Sequence, residues 1–125
     1  MVRDPFEKTA APPLQDVLDA LDDTDCRRIV RQLDEPRTAR ELSEACDMPL
    51  STTYRKLDLL SSATLVDERT QIRSGGHHTT QYVMDFTAVR IAVDDLREFQ
   101  VSINRPARAP DEQLAQLWSE VRRGV

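Results

Sequence analysis

Thr38-Ala39-Arg40-Glu41-Leu42-Ser43-Glu44-Ala45, the break Cys46-Asp47-Met48-Pro49, and Leu50-Ser51-Thr52-Thr53-Tyr54-Arg55-Lys56-Leu57-Asp58-Leu59-Leu60-Ser61-Ser62-Ala63-Thr64-Leu65-Val66 decide the fold of this chain. Thr38 and Glu41 have the spacing of a capping box, in which hydroxyl and carboxylate satisfy the first orphan amides of a helix. Ala39, Leu42, Ala45 and Cys46 give that helix an apolar stripe. Asp47 and Pro49 stop it and restart the chain into a second helix. There Thr53, Leu57 and Leu60 point inward, while Ser51, Thr52, Tyr54, Arg55 and Lys56 mostly do not. Two short helices joined by a tight turn are predicted, a helix-turn-helix.

Upstream, Pro5, Pro12 and Pro13 without periodicity mark residues 1–13 as a flexible arm. Leu14, Val17, Leu18 and Leu21 fit an amphipathic helix starting near Pro13. Cys26, Ile29, Val30 and Leu33 form the stripe of another, capped by Asp23 or Thr24 and ended by Pro36. Downstream of Ala63 the period changes to two. Leu65–Arg73 and His77–Phe86 read as strands around Ser74-Gly75-Gly76, whose glycines supply the positive φ of a tight hairpin. Val89, Ile91 and Val93, then Phe99, Val101 and Ile103, alternate around Asp94-Asp95 as a second strand pair; one helix through 88–103 competes with it. Pro106 and Pro110 mark a linker. Asp111 then caps a last helix with Leu114, Leu117, Trp118 and Val121 on one face. The expected fold is α+β: a flexible arm (1–13), a winged helix-turn-helix domain (14–86), a second β-hairpin (87–104), then a linker and C-terminal dimerisation helix (105–125).

The 125 residues carry 22 acidic and 17 basic side chains, a net charge of −5. Fourteen of the acids are Asp and only Lys8 and Lys56 are Lys, a surface like that of proteins from high-salt cytoplasm. Residues 50–80 carry one net positive charge, against six net negative elsewhere, so the least acidic part coincides with the helix-turn-helix and its hairpin. No apolar run approaches the roughly 20 residues needed to cross a bilayer. The N-terminus lacks the apolar stretch of a signal peptide, and a cytoplasmic location is expected.

Hydroxyls and cations on the second helix of the pair suit a DNA major groove. Ser51 and Thr52 can bond bases or phosphates, Arg55 can fork onto guanine, Tyr54 can stack on a sugar, and Lys56 can meet a phosphate. Arg69 and Arg73 on the hairpin suit a minor groove, and His77, with His78, suits phosphates. Against this stands a solvated amphipathic helix and an exposed turn with no ligand. Adjacent histidines on a strand point to opposite faces, so His77 and His78 do not make a metal site; no metal and no cofactor is expected. Cys26 and Cys46 fall on core stripes, which disfavours a thiol switch. With no nucleophile elbow or phosphate loop, an enzyme is not expected. The Leu114, Leu117, Trp118 and Val121 stripe suits a homodimer, which would present two reading helices to a palindromic operator on double-stranded DNA.

Lys56 to Val66 resembles the helix-to-wing junction of ArsR- and PadR-type winged-helix regulators, with Thr64 where glycine is often found. The likeness covers about residues 14–86. The tail around Trp118 and the preceding strand pair resemble those of haloarchaeal members. The resemblance implies a dimeric transcription factor controlling genes in response to reactive oxygen species; the metal-binding cysteine motif of ArsR proteins is absent. The rival reading is a protein-interaction adaptor built on a degenerate winged helix.

Overall fold

The computed structural model describes residues 11–72 and 75–107. Arg73, Ser74, most of the arm and residues 108–125, with the stripe of Leu114, Leu117, Trp118 and Val121, lie outside the described residues. The fold is α+β: four helices, α1 (Leu14–Asp22), α2 (Thr24–Arg31), α3 (Ala39–Cys46) and α4 (Leu50–Ser62), and five strands, β1 (Arg37–Thr38), β2 (Val66–Ile72), β3 (His78–Met84), β4 (Ala88–Val93) and β5 (Phe99–Asn104). The first three strands make an antiparallel sheet in the order β1-β3-β2; β4 and β5 make a separate hairpin. That settles the stretch 88–103 as strands rather than a helix.

Each helix starts and stops for a local reason. Asp23 caps α2, its carboxylate accepting from the Cys26 amide at 3.0 Å. The capping box of α3 is complete: Thr38 Oγ1 accepts from the Glu41 amide, and Glu41 accepts from the Thr38 amide at 2.9 Å. Both helices of the central pair end with a left-handed residue that is not glycine, Asp47 (φ 53°) and Thr64 (φ 59°). At Asp47, the Met48 amide reaches back to the Ser43 carbonyl at 3.0 Å. At Thr64, the Leu65 amide reaches the Leu60 carbonyl at 2.9 Å, and the Thr64 amide reaches Ser61. These paired bonds satisfy carbonyls that a helix end leaves open. A short polar side chain makes the conformation tolerable for Asp; for β-branched Thr it is a strain.

The core gathers Val17, Cys26, Ile29, Leu42, Leu57, Leu60 and Leu65, all fully buried. Two positions on the expected stripes do not join it: Leu18 and Ala45 are exposed, because no described element packs over those sides of α1 and α3. The wing runs in register from Val66 opposite Met84 to Ile72 opposite His78, and Gly75 and Gly76 take φ of 90° and 81° at its tip. β1, which the sequence pattern did not reveal, pairs Arg37 with Tyr82 and Thr38 with Gln81, fastening the wing to the start of α3.

Candidate nucleic-acid interface

α4 is held from behind. Thr53, Leu57 and Leu60 are buried, and the Thr53 hydroxyl donates to the Pro49 carbonyl at 3.0 Å. A helix turns 100° per residue, so this anchoring turns Ser51, Arg55, Asp58 and Ser62 directly outward. All four are exposed. Tyr54 and Thr52 flank this face on opposite sides. The outward face is therefore hydroxyl and guanidinium, with one carboxylate, Asp58, and one exposed apolar side chain, Leu59, among them.

Tyr54 also borders an open cleft of about 440 Å³ between α3, α4 and the wing, lined by Thr38, Arg40, Tyr54, His78, Thr80 and Tyr82 among others. Arg40 was not singled out by its sequence, although its place off the Ala39–Leu42–Cys46 stripe already put it outside the core. The cleft brings α4 and the wing together through side chains that offer a cation, an imidazole and hydroxyls. Burial, then the nearby Glu68, Tyr54 and Asp58, pushes the Tyr82 phenol up, so it stays a neutral hydrogen-bonding group.

Other expected site residues lie elsewhere. Lys56 is turned to α2, its ammonium 2.6 Å from Asp23 Oδ2. Burial works against the charge on Asp23, but the Lys56 ammonium and the Cys26 amide outweigh it and hold the carboxyl below its ordinary value. The hydrogen bond to Asp23 in turn pushes Lys56 up. Arg69 sits opposite Gln81, on the face of the wing away from Tyr82 and Thr80, since strand side chains alternate. His77 is exposed beside the glycines at the wing tip; Arg73 lies outside the described residues.

The thiols are core groups. Burial pushes Cys26 up to about 12, with the neighbouring Asp23 carboxylate adding to it. Burial also raises Cys46. Arg28 donates to the Cys46 carbonyl and pairs with Asp25, tying α2 to the end of α3.

A second node was equally hidden in the sequence. Arg105, just past β5, donates to the Thr64 carbonyl at 2.6 Å, the Thr64 hydroxyl at 2.7 Å, the Asp85 carbonyl at 2.9 Å and the Asp85 carboxylate at 3.2 Å. One guanidinium thus pins the root of the second hairpin to the junction between α4 and the wing.

The helix-turn-helix geometry has a counterpart among known proteins. The family model described as a helix-turn-helix domain matches residues 21–69, from the end of α1 into β2. The chain thus carries a helix-turn-helix domain, and the strands that follow make it a winged one. No curated protein matches the chain. Among the described residues, no helix is long and apolar enough to cross a membrane.

Proposed function

We propose that this chain is a sequence-specific DNA-binding transcription regulator that works as a homodimer in the cytoplasm. The observation that carries the reading is the outward face of α4: Ser51, Tyr54 and Arg55 stand exposed on a helix whose other side is locked by Thr53, Leu57 and Leu60. A face of that chemistry, carried on the second helix of the pair, is what major-groove reading requires. In this reading Arg55 forks onto a guanine and Ser51, Thr52 and Tyr54 bond bases or the adjoining backbone. Arg73 and His77 at the wing tip meet the flanking minor groove and phosphates. Lys56 supports the helix through Asp23 instead of reaching DNA, and Arg69 contributes charge from the far side of the wing.

The dimer rests on the Leu114, Leu117, Trp118 and Val121 stripe. Two copies would place two reading helices about one DNA turn apart, and so favour a palindrome. A role in oxidative stress rests on resemblance to haloarchaeal regulators alone. Burial, which raises both thiols, argues against Cys26 or Cys46 as its sensor.

Selection from a random duplex pool tests the reading. Enrichment of a short palindrome, lost on Arg55→Ala, is the expected outcome. A pool that emerges without any enriched sequence would favour an adaptor that binds a protein through this face.

A further inference from the structure

The β4–β5 hairpin is apolar on one whole face. Its register sets Val89 against Ile103, Ile91 against Val101, and Val93 against Phe99, so six apolar side chains share that side. Ala88, Arg90, Ala92, Asn104, Ser102 and Gln100 take the other. At the root, Val89, Val101 and Ile103 pack against the core. Toward the tip the face is uncovered: Ile91 is 46% exposed, Val93 52%, Phe99 61%, and the turn residue Leu96 82%. A lone two-stranded hairpin is marginal in water, and contiguous exposed apolar surface marks an interaction site.

We infer that this face is the seat of the C-terminal segment, residues 108–125, of a second copy of this chain, the Leu114, Leu117, Trp118 and Val121 stripe closing over Ile91, Val93 and Phe99. The inference rests on the homodimer reading and names the surface opposite the stripe. Three observations support it. The stripe has i, i+3, i+4, i+7 spacing, and as a helix would cover roughly 10 Å. That is about the length of the uncovered half of the hairpin, from Ile91 to the turn, at ~3.3 Å per residue. Chain length suffices too, because the residues between Ala107 and Leu114 reach roughly 20 Å when extended. Finally, Arg105 pins the exit of the chain at the hairpin root, at the opposite end from the uncovered residues, and Pro106 holds the next step extended. Reciprocal exchange between two copies closes the assembly as an isologous pair and gives two such seats per dimer.

Complementation on the full chain tests this. Trp118 is the only tryptophan and reports directly on the stripe. In the wild-type dimer its emission should be blue-shifted and poorly quenched by acrylamide. A face variant, Ile91→Ser with Phe99→Ser, and a stripe variant, Leu117→Asp, should each run as monomers on light scattering, with Trp118 emission red-shifted, while far-UV circular dichroism stays folded. Mixed together at raised concentration they should form heterodimers, weaker than the wild-type dimer because one intact face meets one intact stripe at a single seat. A face variant that remains dimeric, or a mixture that remains monomeric, overturns the inference while leaving the dimer standing. A wild type that is itself monomeric removes the dimer reading and this seat with it; a buried Trp118 in that monomer would place the stripe on its own chain.

Discussion

The Asp23 carboxylate accepts the Cys26 amide at the start of α2 and the Lys56 ammonium from the middle of α4, so one side chain joins a cap to a helix–helix contact. Arg55, next in the chain to Lys56, points to solvent. The two cations should therefore fail differently. Arg55→Ala should cost about 1–3 kcal/mol of specific DNA affinity, read by titrating specific against scrambled duplex, with little change in melting temperature. Lys56→Met should cost up to about 1 kcal/mol of stability by denaturant titration and leave specificity in place. The pH dependence follows from the two shifts. The Asp23 carboxyl is held below its ordinary value, so its contribution is full above about pH 4 and is lost as pH falls through the lowered value. Lys56 is raised, so its share is full below its ordinary value, near 10.4, and is lost as pH rises through the raised one. Denaturant titrations should show the stability gap between wild type and Lys56→Met at neutral pH and its disappearance in strong acid.

At the scale of elements, the junction of α4 and β2 is the point where a local preference is overridden. Thr64 sits at φ 59°, a conformation that costs a β-branched residue roughly 1–2 kcal/mol. Arg105 holds it there through both the carbonyl and the hydroxyl. Arg105→Ala should then destabilise by about 2–3 kcal/mol, since four acceptor atoms, two on Thr64 and two on Asp85, lose a charged donor at once. Thr64→Gly relieves strain but forfeits one of those bonds, so in the wild type it should be near neutral. In the Arg105→Ala background it should stabilise. A double-mutant cycle by thermal melts reads the coupling, and additivity would mean that Arg105 does not clamp Thr64. This node also shows what a sequence conceals. The capping box of Thr38 and Glu41 and the period-two runs around Gly75-Gly76 were legible because their partners lie within a few residues. Thr64 and Arg105 lie 41 positions apart, and Asp23 and Lys56 33 apart, so no periodicity links them. β1 is two residues long, too short to alternate. Leu18 and Ala45 misled for the complementary reason: a stripe marks a helix face and says nothing of what packs over it. For the candidate site, the outward face of α4 could be read from its buried back, whereas Arg40 entered only when the wing folded over to make a cleft.

Taken as a whole molecule, the chain is an acidic protein, of net charge −5, whose proposed reading face carries Asp58 on the same outward side of α4 as Arg55. The core keeps its thiols out of reach: Cys26 is fully buried and pushed up to about 12. A disulfide reagent should therefore label Cys26 in the folded protein only as fast as global unfolding exposes it, and promptly in urea; prompt labelling under native conditions would reopen the thiol as a sensor. Charge sets the other expectation. Binding driven by phosphate contacts releases counterions, and log affinity then falls with log salt by about 0.9 for each contact on duplex DNA. The described part of the proposed interface offers only Arg40, Arg55 and Arg69 as cations free of the Asp23 pair, and Asp58 and Glu68 oppose them. A release-driven mechanism needs more positive charge than that. If base edges, groove shape and bridging water carry recognition instead, carboxylates brought close to DNA should take up cations on binding. Affinity for the selected duplex should then vary weakly with salt, and removing a carboxylate should shift the slope toward net release. Asp58→Asn is the informative variant, because it leaves Ser51 and Arg55 in place. Fluorescence anisotropy across a salt series should give a shallow wild-type slope and a more negative one for Asp58→Asn. A steep wild-type slope of several units, unmoved by the substitution, would make phosphate attraction the main source of affinity and demote the outward face of α4 from reader to anchor.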